Sequence, residues 1–250
     1  MIDPADRGFT LGDGLFETVA AEDGVLRDVG RHLDRMAAGC AVLGLPAPDR
    51  AEAERLMQLA LGAGRPGQWA VRLTLTAGSG GRGLDRPDPL SPVMVATAAP
   101  APRPAGPARL VTSSVRRNDG SPASRLKTLA YLDNVLARRE ARDAGADEAV
   151  MLNTRRQVAG AAAANLFWII GGELFTPALD CGVLDGITRA DLIGRARSLG
   201  VVVHEVEAGP ERLAAADAML ITNSLIGLRA VASLDGRELP GSERLAVLCG

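Results

Sequence analysis

The chain has 250 residues, of which 47% are hydrophobic and only 3% aromatic, and its formal net charge is -2. Its length fits one large domain or two smaller ones, and a core of aliphatic side chains is typical of a mixed α/β protein. A near-neutral charge without a basic run argues against nucleic acid as a partner. The sequence shows neither a signal peptide nor an apolar run of about 20 residues, so we expect a cytoplasmic protein that does not span a membrane.

Residues that commonly bind metals are scarce in this chain. Cys40, Cys181 and Cys249 are odd in number and far apart, which predicts free thiols in a reducing compartment. His32 and His204 are the only histidines, too few for a histidine-rich metal site. We therefore expect no metal cofactor.

Residues 1–99 are predicted to form a small N-terminal α/β domain. Apolar residues three and four positions apart predict helices, and alternating apolar and polar residues predict strands. In chain order the predicted elements are a loop and a strand in residues 8–20, helices over 28–45 and 49–61, and strands over 68–76 and 91–99.

A proline-rich run, residues 100–107, predicts an extended linker. Residues 108–250 are predicted to form a larger C-terminal domain of mixed helices and strands. Its predicted strands begin at 108 and cover 148–153, 165–170, 173–175, 201–207 and 218–223, with helices over 129–144, 188–199 and 210–215. We expect two lobes joined by the linker, with a site in the crevice between them.

Lys127 is the only lysine among 28 basic residues. A guanidinium stays protonated, so arginine replaces lysine as a surface charge but not as an amine nucleophile. Lys127 is therefore a candidate Schiff-base residue; the alternative is chance in an arginine-rich chain. Tyr131 follows four residues later. On a continuous helix it would share a face with Lys127 and bond the phenolic oxygen of a pyridoxal phosphate; the alternative is a tyrosine packed in the core.

A phosphate-bearing cofactor needs an anion-binding site, and residues 186–189 (GITR) supply a candidate. A glycine permits close approach, and the first N–H groups of the following helix favour negative charge. The alternative for Thr188 is an ordinary N-cap. Residues 222–224 (TNS) follow a predicted strand and would complete the site. Arg35 would add a positive charge, unless it is a solvated helix arginine.

Seven motifs occur in a fixed order along the chain: DRGFTLGDGLFET (6–18), HLDR (32–35), RLKTLAYLDNVLARREA (125–141), GADEAVMLN (145–153), NLFW (165–168), LFTPALDCGVLDGITR (174–189) and ITNS (221–224). Together they resemble the class IV aminotransferase family, the fold-type IV pyridoxal-phosphate enzymes, over nearly the whole chain. The resemblance implies a D-amino-acid-aminotransferase-like fold, an amino-acid-like small-molecule substrate and a homodimer.

The resemblance also implies roles for particular residues. Lys127 would be the catalytic residue and would hold pyridoxal 5'-phosphate through a Schiff base. The phosphate would be bound by Arg35, by the backbone of Ile187 and Thr188, by the Thr188 hydroxyl and by the region of Asn223.

Within the family, ADEAVMLN followed by AANLFW most resembles the aminodeoxychorismate lyases. These convert 4-amino-4-deoxychorismate to 4-aminobenzoate and pyruvate in folate synthesis. Branched-chain and D-amino-acid aminotransferases share the scaffold, so the same motifs are compatible with transamination.

Two positions depart from the family pattern. Gly160 stands where the family has the glutamate that pairs with the pyridine nitrogen, and Ala130 stands where asparagine is usual. Without an opposite charge the pyridine nitrogen should be less basic and the ring a poorer electron sink. An elimination that forms an aromatic ring tolerates this better than transamination does. A cofactor-binding homologue without turnover is the remaining alternative.

Overall fold

The computed structural model describes residues 3–241 and 247–248. The chain divides into two compact units. The first contains the residues up to Arg103 together with Leu126–Ala130, and the second contains Pro104–Arg125 together with the residues from Tyr131 onward. Residues 101–107 carry neither helix nor strand, so the boundary between the units falls in irregular backbone.

The first unit contains an antiparallel sheet in the order β2-β1-β3-β4. Its elements are α1 (Arg7–Leu11), β1 (Gly14–Glu22), β2 (Val25–Leu26), α2 (Val29–Leu43), α3 (Arg50–Leu61), β3 (Gln68–Thr76) and β4 (Val93–Pro100). The two predicted helices and the strands of this half are confirmed, while α1 lies where a loop was expected.

Sequence periodicity explains how this unit packs. Leu33, Met36 and Cys40 lie on one face of α2 and are buried. The carboxylate of Asp49 accepts a hydrogen bond from the backbone N–H of Glu52 at 3.1 Å, which caps α3. Both helices pack on the sheet around an aliphatic core, so alternate residues of β1 and β3 point away from that core.

The segment Leu126–Ala130 belongs to the first unit, although the prediction assigned it to the domain 108–250. The backbone N–H of Phe16 donates to the carbonyl of Lys127 at 2.8 Å, and that of Leu129 donates to Gly14 at 3.0 Å. The edge of β1 is open here because β2 pairs only with Ala21 and Glu22. Lys127 is therefore fixed against the start of β1.

The second unit is built on a mixed sheet in the order β10-β9-β8-β11-β12-β5-β6-β7, with β13 beside β12. Its strands are β5 (Ala108–Arg117), β6 (Glu148–Asn153), β7 (Val158–Ala161), β8 (Asn165–Ile170), β9 (Glu173–Pro177), β10 (Val203–Val206), β11 (Ala218–Asn223), β12 (Gly227–Leu234) and β13 (Arg237–Glu238). Its α-helices are α4 (Leu132–Asp143), α5 (Ile187–Ser198) and α6 (Glu211–Ala214). β7, β12 and β13 were not predicted.

α4 corrects the prediction made for residues 129–144. The helix begins at Leu132, and the apolar side chains that suggested it are largely exposed: Leu132 by 68% and Val135 by 59%. Ala137 and Ala141 are the buried residues and pack with β6. Small side chains let the helix approach the sheet closely, so the face in contact is the one with alanines.

Two of the three cysteines, Cys40 and Cys181, are free and buried, and burial raises the pKa of both thiols. Cys249 lies outside the described residues. In residues 3–241 and 247–248, no helix combines the length and apolar character that a bilayer crossing requires.

Candidate active site

In the first unit, the amine of Lys127 lies against an aromatic ring. Its Nζ is 4.3 Å from the ring centroid of Phe16, and the guanidinium carbon of Arg72 is 3.6 Å from the same centroid. Burial lowers the pKa of Lys127 to about 8; the charge of Glu17 opposes this shift, and Arg35 and Arg72 add to it. Near pH 8 the amine is therefore present in both forms, as a nucleophile and proton carrier requires.

Glu17, whose charge acts on Lys127, was not among the residues predicted from the sequence. Its side chain is 1% exposed. The carboxylate accepts hydrogen bonds from Arg35 Nε at 2.8 Å and Nη2 at 2.6 Å, and Nδ1 of His32 lies 2.7 Å from it. Burial alone would raise the pKa of the carboxyl, but Arg35 and His32 outweigh it and the pKa is lowered. The signal in the sequence was an acidic residue on the buried face of β1.

Arg35, expected to bind phosphate, lies on α2 with its side chain only 19% exposed. The alternative of a solvated helix arginine is therefore wrong. Its two bonds to Glu17 fix the plane of the guanidinium. Its contribution to phosphate binding stays a prediction.

In the second unit, the N-terminus of α5 has the features of an anion site. Gly186 is the N-cap and Thr188 the second helical residue, so the alternative of an N-cap threonine is wrong. A Cβ on Gly186 would lie 2.0 Å from Oδ1 of Asn165, so a larger residue would require the Asn165 side chain to move. The first turn contains no acidic residue, and the helix dipole favours an anion at this end.

The end of β11 adjoins this helix terminus through Asn165, which pairs with Thr222 in the sheet. The hydroxyl of Thr222 is buried and, within the described residues, has no hydrogen-bond partner. Such a group costs about 1–3 kcal/mol unless a ligand or water satisfies it. The orphaned hydroxyl and the glycine N-cap together fit a phosphate group.

Asn223, the other predicted contact of β11, has its side chain bonded to the backbone of two loops. Its Nδ2 donates to the carbonyl of Ala163 at 3.0 Å, and its Oδ1 accepts from the backbone N–H of Leu225 and Ile226, each at 2.9 Å. Asn223 therefore links the loop after β11 to the loop between β7 and β8.

Tyr131 does not share a helix face with Lys127. It is the N-cap of α4, outside the helix, while Lys127 lies in the segment paired with β1. The expected arrangement on one helix was wrong because the chain between them is not helical.

Gly160 lies in β7 with φ at +100°, a conformation that a glutamate adopts only with strain. Residues 158–165 contain no carboxylate. The buried carboxyl nearest in sequence, Glu148, accepts the backbone N–H of Ala149 at 2.9 Å, and burial raises its pKa. The first unit thus carries a buried amine with a lowered pKa, and the second a helix N-terminus with the features of an anion site. Residues 158–165 offer no carboxylate that could pair with a pyridine nitrogen.

Comparisons with a family model and with individual proteins point to the same family. A family model described as amino-transferase class IV matches residues 14–234. A putative branched-chain-amino-acid aminotransferase from Methanocaldococcus jannaschii is 33% identical over 242 residues, covering 94% of this chain and 83% of that protein. An aminodeoxychorismate lyase from Bacillus subtilis is 30% identical over 234 residues, covering 90% of this chain and 79% of the lyase.

Among solved structures, a putative 4-amino-4-deoxychorismate lyase from Legionella pneumophila superposes with a TM-score of 0.91 at 28% identity. The match covers 100% of this chain and 93% of that one. The fold is thus the mixed α+β fold of the fold-type IV enzymes, as predicted. Some of the similar proteins are named as lyases and others as aminotransferases, so the comparison does not decide which reaction this chain catalyses. The chain belongs to the class IV aminotransferase family, whose members depend on pyridoxal phosphate.

Proposed function

We propose that this protein is a pyridoxal-phosphate-dependent lyase that converts 4-amino-4-deoxychorismate to 4-aminobenzoate and pyruvate in folate synthesis. The observation that carries the choice of a lyase is Gly160, whose segment has no carboxylate to hold a pyridine nitrogen protonated. Similarity to the Bacillus and Legionella proteins supports the same choice.

The family resemblance also leads us to propose a cytoplasmic homodimer. Analytical ultracentrifugation tests the dimer, which should have twice the 25.9 kDa mass of the chain.

Three residues or groups of this chain would hold the cofactor. Lys127 supplies the amine, the first turn of α5 with Thr188 receives the phosphate, and Arg35 adds positive charge. Bound pyridoxal phosphate would draw electron density from the substrate carbon that carries the amine, making its proton easier to remove.

The amine of Lys127 then acts as a proton carrier. It removes the proton from the amino-bearing ring carbon, and the bond from the neighbouring ring carbon to the enolpyruvyl oxygen breaks. The ring becomes aromatic, and the departing enolpyruvate takes up a proton at its methylene carbon to give pyruvate. A lysine pKa of about 8 suits both the removal and the return of a proton.

Arg72 is the candidate for recognising a substrate carboxylate. It comes from β3, on the sheet face away from the core, and its guanidinium stacks on the Phe16 ring that also contacts Lys127. A planar guanidinium binds carboxylates at two points. The position would hold an acidic substrate beside the amine.

The test is to incubate purified protein, loaded with pyridoxal phosphate, with 4-amino-4-deoxychorismate. We expect 4-aminobenzoate and pyruvate in equal amounts over many turnovers. Lys127→Ala should abolish the visible absorption band and the activity. Lys127→Arg should also abolish both, because a guanidinium keeps the positive charge but cannot form a Schiff base. A visible band that depends on Lys127, with no product formed, would rule out the lyase.

An aminotransferase is the second candidate, favoured by the 33% identity to the Methanocaldococcus protein. It predicts that one amino acid alone converts the cofactor stoichiometrically to its pyridoxamine form. No spectral change with branched-chain or D-amino acids would eliminate those substrates. A cofactor band without either reaction would instead indicate a non-catalytic homologue.

A further inference from the structure

Glu17 occupies an unusual place in the first unit. It follows Phe16, whose backbone N–H bonds the carbonyl of Lys127 at 2.8 Å and whose ring contacts the lysine amine. Successive side chains of a strand point to opposite faces, so Glu17 points toward α2. One dipeptide of β1 therefore contacts Lys127 on one face and carries a buried carboxylate on the other.

The charged groups that act on the lysine come from three elements packed together. β1 contributes the negative charge of Glu17, α2 contributes Arg35, and β3 contributes Arg72. His32, also on α2, contacts Glu17 directly at 2.7 Å. Two permanent positive charges and burial thus disfavour a protonated amine, and Glu17 is the opposing charge.

We propose that Glu17 is a positioning residue whose carboxylate fixes Arg35 and supplies the negative charge that lets Lys127 both accept and release a proton. Without it, Arg35 would lose the two bonds that orient its guanidinium while keeping its charge. The amine would then stay neutral over a wider pH range and be a poor proton donor. The inference rests on the proposed role of Lys127 as a proton carrier.

The single lysine makes a direct test possible. Protein labelled with lysine carrying ¹³C at the ε carbon gives one labelled side-chain resonance, which reports protonation of Lys127 as pH is varied. Cofactor-free protein is used, so the result does not depend on turnover or on the identity of the substrate. We expect a titration midpoint of about 8 in the wild-type protein.

Four variants then separate the contributions. Glu17→Gln should lower the midpoint by roughly one pH unit, the size expected for a nearby charge, whereas Arg35→Gln should raise it. Because Glu17→Gln removes the charge that balances the half-buried Arg35, that variant is also made in the Arg35→Gln background, where both side chains are neutral. Glu52→Gln is the matched control: Glu52 also receives two bonds from an arginine, Arg55, but on the surface, and it should leave the midpoint unchanged.

The decisive comparison is between Arg35→Gln and the double variant. A lower midpoint in the double variant supports the proposal, even if Glu17→Gln alone does not fold. An unchanged or higher midpoint would overturn it and leave Glu17 with a structural role only. Failure of the lyase assay would not affect this outcome, because no cofactor or substrate is present.

Discussion

Two glutamate–arginine pairs in the first unit have nearly the same geometry but different surroundings. Arg35 bonds Glu17 at 2.8 and 2.6 Å, and Arg55 bonds Glu52 at 2.7 and 2.8 Å. The side chain of Glu17 is 1% exposed and that of Glu52 is 42% exposed. Water can compete for the charges of the exposed pair but not for those of the buried one. Bond length alone therefore does not indicate how much a pair contributes to stability.

Removing the buried carboxylate should have the largest effect. Glu17→Ala removes the buried carboxylate that bonds the half-buried Arg35, and breaking a buried pair in this way costs about 3–5 kcal/mol. Urea unfolding of the cofactor-free protein, followed by circular dichroism, measures the change in free energy of unfolding. A loss below about 1 kcal/mol would mean that Glu17–Arg35 behaves like a surface pair.

Acid should distinguish the pairs next. The folded-state pKa of Glu17 is below its ordinary value, so its contribution to stability is present above the unfolded-state pKa, about 4.3. That contribution is lost as pH falls through the lower folded-state value. The wild-type protein should therefore lose more stability between pH 6 and pH 3, roughly the range around that reference pKa, than Glu17→Gln does. Parallel curves for the two proteins would contradict this expectation.

Breaking the surface pair should have the smallest effect. Glu52→Ala removes a carboxylate whose pKa is lowered mainly by its bond to Arg55, but both groups regain water when the bond is lost. We expect no change in the urea midpoint beyond experimental error. A loss as large as that of Glu17→Ala would show that exposure does not explain the contrast.

Much of the fold could be predicted because the spacing of apolar residues within one helix or strand indicates which of its faces is buried. The buried face of α2 and the strand 68–76 were predicted from spacing alone. The same logic misjudged α4, because its apolar Leu132 and Val135 are exposed while Ala137 and Ala141 contact the sheet. Spacing identifies a helix, but it does not say which face meets a partner.

The candidate site likewise contains residues that the sequence identifies and contacts that it does not. Lys127 was identifiable because it is the only lysine, and Gly186 because a glycine precedes a predicted helix. The orphaned hydroxyl of Thr222 and the three-residue contact of Glu17 could not be derived. Glu17 contacts residues on another element, and the burial of Thr222 depends on the strands that surround it.

By itself, the sequence determined the helices and strands with clear periodicity, the family motifs, the candidate amine and the absence of a carboxylate around Gly160. Only the tertiary structure decided that Lys127 pairs with β1 and that Glu17 lies behind it with Arg35 and His32. The physical reason is that spacing reflects hydrogen bonding and burial within one element. The pKa of a lysine instead depends on charges that the fold brings together from β1, α2 and β3.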